Sequence, residues 1–149
     1  MKKTFLFIII FIFSAIAISC IIPAKNKSCN YYYTSKLLKK VNEKKDFEIK
    51  ALYMTYYKTK VLNPEEEGIV IKYLKSAGEG DFKESREIKG KPVYRLYISF
   101  KDETYIIDIF NNEDICIFPY DGDFQQDVLK MNSKYKCYNL YYLCKNVFN

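Results

Sequence analysis

The sequence predicts an α+β fold: a single domain with a largely antiparallel four-stranded sheet packed against helices on one face. Three observations predict it. Between Val93 and Phe118, three strand-like runs, the first with Tyr94, Leu96, Ile98 and Phe100 on one face, are separated only by short turns. Short turns between strands require antiparallel neighbours. Apolar residues recur at helical spacing on both sides of that region, and Asn63-Pro64-Glu65-Glu66 has the composition of a helix start.

The elements follow in chain order. Asn30 is placed to cap a first helix, in which Tyr33, Leu37, Leu38 and Val41 share a face away from Lys36, Lys39 and Lys40. From Phe47 to Val61 the chain reads as one long strand, rich in aromatics, with Ile49, Ala51, Tyr53, Thr55 and Tyr57 alternating with polar neighbours. Asn63 then caps a second helix, Pro64 supplies the dihedral of its first turn, and Glu66 closes a capping box. Val70, Tyr73, Leu74 and Ala77 form its apolar face, and Gly78 is placed to stop it. Residues 78–91 read as a polar loop. Val93 to Phe100, Thr104 to Phe110 and Ile115 to Phe118 are the remaining strands, turned at Lys101-Asp102-Glu103 and at Asn111 to Asp114. Phe124 to Lys130 reads as a helical turn. A last helix carries Leu140, Leu143, Cys144 and Val147 on one face.

Ahead of this domain lies a secretory-type start. Lys2 and Lys3 precede an unbroken apolar run from Phe5 to Phe13, followed by small and branched residues. Ala17-Ile18-Ser19-Cys20 resembles the lipobox of bacterial lipoproteins, with Ala17 where leucine is more usual. The resemblance implies cleavage before Cys20 and diacylation of its thiol, anchoring the chain to the cell membrane surface. Two alternatives use the same residues: cleavage after Ala17, or retention of Thr4 to Ile22 as an anchor, since ~17–25 apolar residues span a bilayer. The expected organisation is a signal peptide at 1–19, a lipidated cysteine and tether at 20–29, and one domain at 30–149.

Five cysteines are present, an odd count for an exported chain. Lipidation of Cys20 leaves Cys29, Cys116, Cys137 and Cys144, which can form two disulfides or remain as thiols. On a shared helix, Cys137 and Cys144 would stand about 10 Å apart. That exceeds the ~7 Å between Cα atoms that a disulfide reaches, so each would need Cys29 or Cys116.

The formal charge is +6. Loss of residues 1–19 removes Lys2 and Lys3 and leaves 22 basic against 18 acidic residues, a mild +4. Basic and acidic residues are interspersed, as at Lys44, Lys45, Asp46, Glu48 and Lys50, so no nucleic-acid partner is expected. The chain has no histidine, which excludes Ser-His and Cys-His catalytic pairs. The glycines form neither a phosphate-cradling loop nor a dinucleotide fingerprint, and no cofactor or metal centre is expected.

The lipobox, the strand at Tyr105 to Phe110, the turn Phe118-Pro119-Tyr120-Asp121-Gly122-Asp123 and the ending at Tyr138 to Phe148 together resemble a family of small clostridial proteins described as lipoproteins, of unknown function. That resemblance implies export and lipidation and carries no activity and no functional residues.

The most site-like segment is Tyr120, Asp121 and Asp123, with Asp127 four residues on. Carboxylates around a glycine suit calcium, but the spacing lacks the ligand series and closing glutamate of an EF-hand, and Asp-Gly is ordinary turn chemistry. A second candidate is aromatic: Tyr53, Tyr56, Tyr57, Tyr97 and Tyr120 on a sheet surface could stack on sugar or dock a peptide. The expected role is a surface-tethered, non-enzymatic binding or accessory module meeting an envelope protein or glycan. The alternatives are a glycan enzyme using Asp121 and Asp123, and a structural or inhibitory lipoprotein.

Overall fold

The computed structural model describes residues 31–43, 46–83, 88, 90–121, 126–131 and 137–149. The signal segment, Cys20, the tether, Cys29, Asn30 and Asp123 lie outside the described residues.

Helix α1 (Tyr32–Glu43) buries Tyr33, Thr34 and Leu37 and turns Lys36 and Lys39 outward, as its spacing predicts, while Lys40 lies over the Phe100 ring. Two strands follow, β1 (Glu48–Tyr53) and β2 (Lys58–Val61). The expected long strand is therefore a hairpin. Its turn passes through Tyr57, whose φ of 53° lies in the left-handed region. Residues 54–57 contain no Gly, Asn, Asp or Pro, so the sequence carries no turn signal there.

Helix α2 (Pro64–Ser76) begins as expected. The Asn63 side chain accepts from the amides of Glu65 and Glu66, both at 3.0 Å, and the Asn63 amide donates to Glu66 Oε2 at 2.8 Å. The helix ends at Ser76, two residues before Gly78, because Ala77 turns to extended backbone at ψ 124°. After a short 3₁₀ turn (Glu79–Asp81), Phe82–Lys83 form strand β3 within the stretch expected to be loop.

Strands β4 (Tyr94–Ser99), β5 (Thr104–Ile109) and β6 (Asp114–Pro119) form the expected meander. The residues expected to make a helical turn instead add a fourth meander strand, β7 (Asp127–Lys130). Val128 and Leu129 are too short an apolar run for period alone to tell helix from strand. Helix α3 (Leu140–Phe148) buries Leu140, Leu143, Cys144 and Val147 and is capped by Asn139.

The sheet has seven strands rather than four, all antiparallel, in the order β2-β1-β4-β5-β6-β7-β3. The three described helices lie on one face. α2 sits between α1 and α3; α1 packs over β6 and β7, and α3 over β1. The core joins Leu37, Val70, Leu74 and Leu143 from the helices to Ile49, Leu96, Ile107, Ile117 and Leu129 from the sheet. At about 25 cal/mol per Å² of apolar surface removed from water, this one layer is the main source of stability.

Alternation sends every second strand residue to the opposite, helix-free face. There Ile106, Asp108, Cys116 and Val128 are buried, whereas β2 is exposed along its length. The sheet has two ends: one at the β4–β5 turn, and the other at the β1–β2 turn.

Candidate functional site

The helix-free face holds a hollow of about 380 Å³ near the β4–β5 end, open to solvent and lined by Lys50, Tyr97, Ser99, Thr104 and Tyr120. Strand register assembles it from distant parts of the chain. Lys50 of β1 stands opposite Tyr97 of β4, and Ser99 opposite Thr104 of β5. The Tyr120 amide donates to the Thr104 carbonyl at 2.8 Å, holding the residue after β6 against β5. The Thr104 hydroxyl donates to Ser99 Oγ at 3.3 Å.

Behind the hollow, Arg95 is held by Asp108 through two hydrogen bonds, Nε to Oδ1 at 2.6 Å and Nη2 to Oδ2 at 2.8 Å. The guanidinium also lies 5.9 Å from the Tyr97 ring centroid. The paired carboxylate raises the Arg95 pKa further above its usual value. Arg95 is thus a fixed support for Tyr97. Lys50 is tied only loosely, 3.7 Å from exposed Glu48, and is available to an incoming anion. The lining offers aromatic surface, two hydroxyls and an ammonium. Among the described residues it contains no carboxylate or thiol.

The residues named from the sequence separate into three places. Tyr97 and Tyr120 meet in the hollow, and Asp121 is exposed beside it. Tyr53, Tyr56 and Tyr57 lie at the opposite end of the sheet. Asp127 turns to the helix side, only 2% exposed, where its Oδ2 accepts from the Thr34 amide at 2.6 Å and the Thr34 hydroxyl at 2.8 Å. The amides of Tyr33 and Tyr32 also donate to it. It caps α1 from β7, which is the role expected of Asn30. Burial nevertheless pushes its pKa above the ordinary aspartate value. Asp121 and Asp127 are therefore not brought together, and the described residues contain no cluster of three potential metal ligands.

Lys50, Ser99 and Thr104 were not singled out in the sequence. The only available signal was the polar phase of alternation in β4, where Arg95, Tyr97 and Ser99 occupy every second position.

Cys116, Cys137 and Cys144 are free thiols. Cys116 faces away from the helices, whereas Cys144 belongs to the helix-side core, so the sheet separates them. Burial pushes both thiols up to about 12. Only the thiolate attacks an alkylating reagent. At pH 8 the native protein should be modified at exposed Cys137 while Cys116 and Cys144 stay unmodified until denaturant is added. Site-resolved mass spectrometry checks this, and modification of either buried thiol at the Cys137 rate would contradict the packing.

No described helix is long and apolar enough to cross a membrane. Residues 27–144 match the model of a family described as a domain of unknown function (DUF4883). Among solved structures, the fold is similar to that of a protein described as a "putative lipoprotein from Clostridium perfringens". The two share 28% identity with a TM-score of 0.74, over 80% of this chain and 96% of that one. Comparison with curated proteins finds no match.

Proposed function

The chain belongs to the DUF4883 family, a domain of unknown function, and from that premise we propose that it is a lipid-anchored, non-enzymatic module that binds a glycan of the cell envelope. Cys20 is the proposed lipidation site, residues 1–19 the signal peptide and residues 20–29 the tether. The relative described as a lipoprotein supports an envelope address.

The observation that carries the binding role is the hollow at Tyr97 and Tyr120. Sugar rings present apolar C–H faces that rest on aromatic rings, and hydroxyls that need hydrogen-bond partners. Ser99 and Thr104 supply such partners. The Lys50 ammonium favours an acidic sugar over a neutral one. The absence of carboxylates from the described lining supports binding over hydrolysis, since a glycosidase needs two carboxyl groups about 5–9 Å apart.

Calorimetric titration with acidic and neutral cell-wall glycan fragments tests this. Tyr120→Ala, at a mostly exposed position that does not threaten folding, should weaken binding of the acidic fragment roughly tenfold, about 1.4 kcal/mol. Lys50→Met should remove the preference for acidic over neutral fragments. Absence of binding to either fragment class, or unchanged binding by both variants, would overturn the reading.

A further inference from the structure

We propose that the β1–β2 end of the molecule is a second contact site, one that seats on an anionic bilayer surface. It is separate from the hollow and does not depend on what the hollow binds. Tyr56 and Tyr57 at the hairpin turn are 64% and 81% exposed, and Tyr142 of α3 is 44% exposed. A chain of ring contacts connects Tyr56 with Tyr142: Tyr56 to Tyr53 at 5.1 Å, Tyr53 to Tyr94 at 5.0 Å, Tyr94 to Tyr141 at 5.6 Å, and Tyr141 to Tyr142 at 5.7 Å. Phe148 closes the base of the cluster, 5.7 Å from Tyr53. The exposed Tyr56 and Tyr142 rings therefore stand on a packed aromatic floor, with Tyr57 beside them at the turn.

Glu113 and Asp114, at the β5–β6 turn at this end of the sheet, are paired with Lys130 and Lys83, and the side formed by the hairpin and α3 is basic. Lys58, Lys60 and Lys145 belong to it, and neither residues 53–61 nor residues 140–149 contain an aspartate or glutamate. Exposed tyrosine beside lysines is the composition of a membrane interface, where the ring lies at headgroup level and the cation meets lipid phosphate. A neutral glycan would give the lysines no partner, and an apolar protein groove would have to bury them.

Backbone conformation supports the same assignment. Tyr57 adopts a φ of 53°, where a glycine or asparagine would rest without strain. A bulky residue is held there with its side chain in solvent, so the conformation is not repaid by packing within the chain. Geometry permits simultaneous anchoring. The described chain starts at the β7–β3 edge, where the Tyr31 ring lies 5.3 Å from that of Phe82. Six strand spacings separate that edge from β2, about 29 Å. The eleven residues from Cys20 to Tyr31 can extend ~36–40 Å, enough to let the tyrosine end reach the surface that holds Cys20.

The chain contains no tryptophan, so a single substitution gives a fluorescent reporter without background. The full chain carrying Tyr57→Trp would be reconstituted into vesicles of phosphatidylcholine alone or mixed with phosphatidylglycerol, each with brominated lipid as a quencher. Tyr120→Trp is the control, since Tyr120 is also 64% exposed but lies in the hollow. We expect blue-shifted emission and roughly twofold quenching of the Tyr57→Trp probe on anionic vesicles, and much less on neutral ones. Adding Lys58→Glu and Lys145→Glu should return the anionic signal to the neutral level. Water-like, unquenched emission from Tyr57→Trp on anionic vesicles would overturn the proposal. Equal quenching of Tyr120→Trp would overturn it as well, because the contact would then have no preferred end.

Discussion

Replacement of Cys20 by alanine is expected to abolish lipid-dependent mass and lipid labelling. Alanine has no thiol, so no thioether to a diacylglyceryl group can form. Two acyl chains contribute about 0.8 kcal/mol per buried methylene and hold a protein stably at a bilayer, whereas a single chain holds it only marginally. The effect should be close to all-or-none. The measurement is intact mass, together with incorporation of a labelled fatty acid in cells expressing the full chain or its Cys20→Ala form. An unchanged mass, with no label in either form, would exclude lipidation at this residue. Partition alone is the weaker readout, because an uncleaved apolar segment at residues 4–22 would itself stay in the membrane.

The second large effect is expected at Asp127. Asp127→Ala removes the acceptor for the first amides of α1 and for the buried Thr34 hydroxyl. Losing a cap costs about 0.5–2 kcal/mol, and stranding a buried donor about 1–3 kcal/mol. A loss of about 3 kcal/mol is therefore expected in denaturant unfolding. Asp127→Asn retains one carbonyl acceptor and should lose about half as much. The pH dependence separates the two forms further. The Asp127 pKa is raised in the folded state, first by burial and against the amide hydrogen bonds. The folded protein therefore holds this proton more tightly than the unfolded chain does. The resulting stability is fully present below the ordinary aspartate value and is lost as pH rises through the folded one. Between those two values the difference in stability between wild type and Asp127→Asn should shrink as pH rises. A difference independent of pH would show that Asp127 does not titrate in that window.

What could be read from the sequence was whatever local chemistry determines. Asn63 to Glu66 specify a helix start through contacts within four residues, and the structure contains each of those contacts. The same holds for the β4–β5–β6 meander, whose turns are short and polar. Non-local pairing was not legible. Phe82 and Lys83 become a strand only because β7 lies beside them, and nothing in two residues announces that. Tyr57 makes a turn against its own backbone preference. Asp127 looked like part of a carboxylate turn, but its partner amides lie 93 residues away. The hollow was half legible for the same reason. Tyr97 and Tyr120 stood out as aromatic residues, whereas Lys50 joins them only through the pairing of β1 with β4, strands separated in sequence by α2 and β3.

The clasp between Asp127 and α1 has a mechanical consequence. Tension drawn along the chain from its N-terminal side enters the described domain at Tyr31, at the first turn of α1. That turn is fastened to β7 by a cluster of short hydrogen bonds to one carboxylate, and braced by the Tyr31 contact with Phe82 on β3. A few residues further along the helix, Lys36 and Lys40 are paired with Glu103 in the β4–β5 turn. A pull is thereby shared between the far edge of the sheet and its centre before any core side chain must move. Drag on the domain would first strain polar contacts that can re-form once the force is released, leaving the apolar layer beneath them closed.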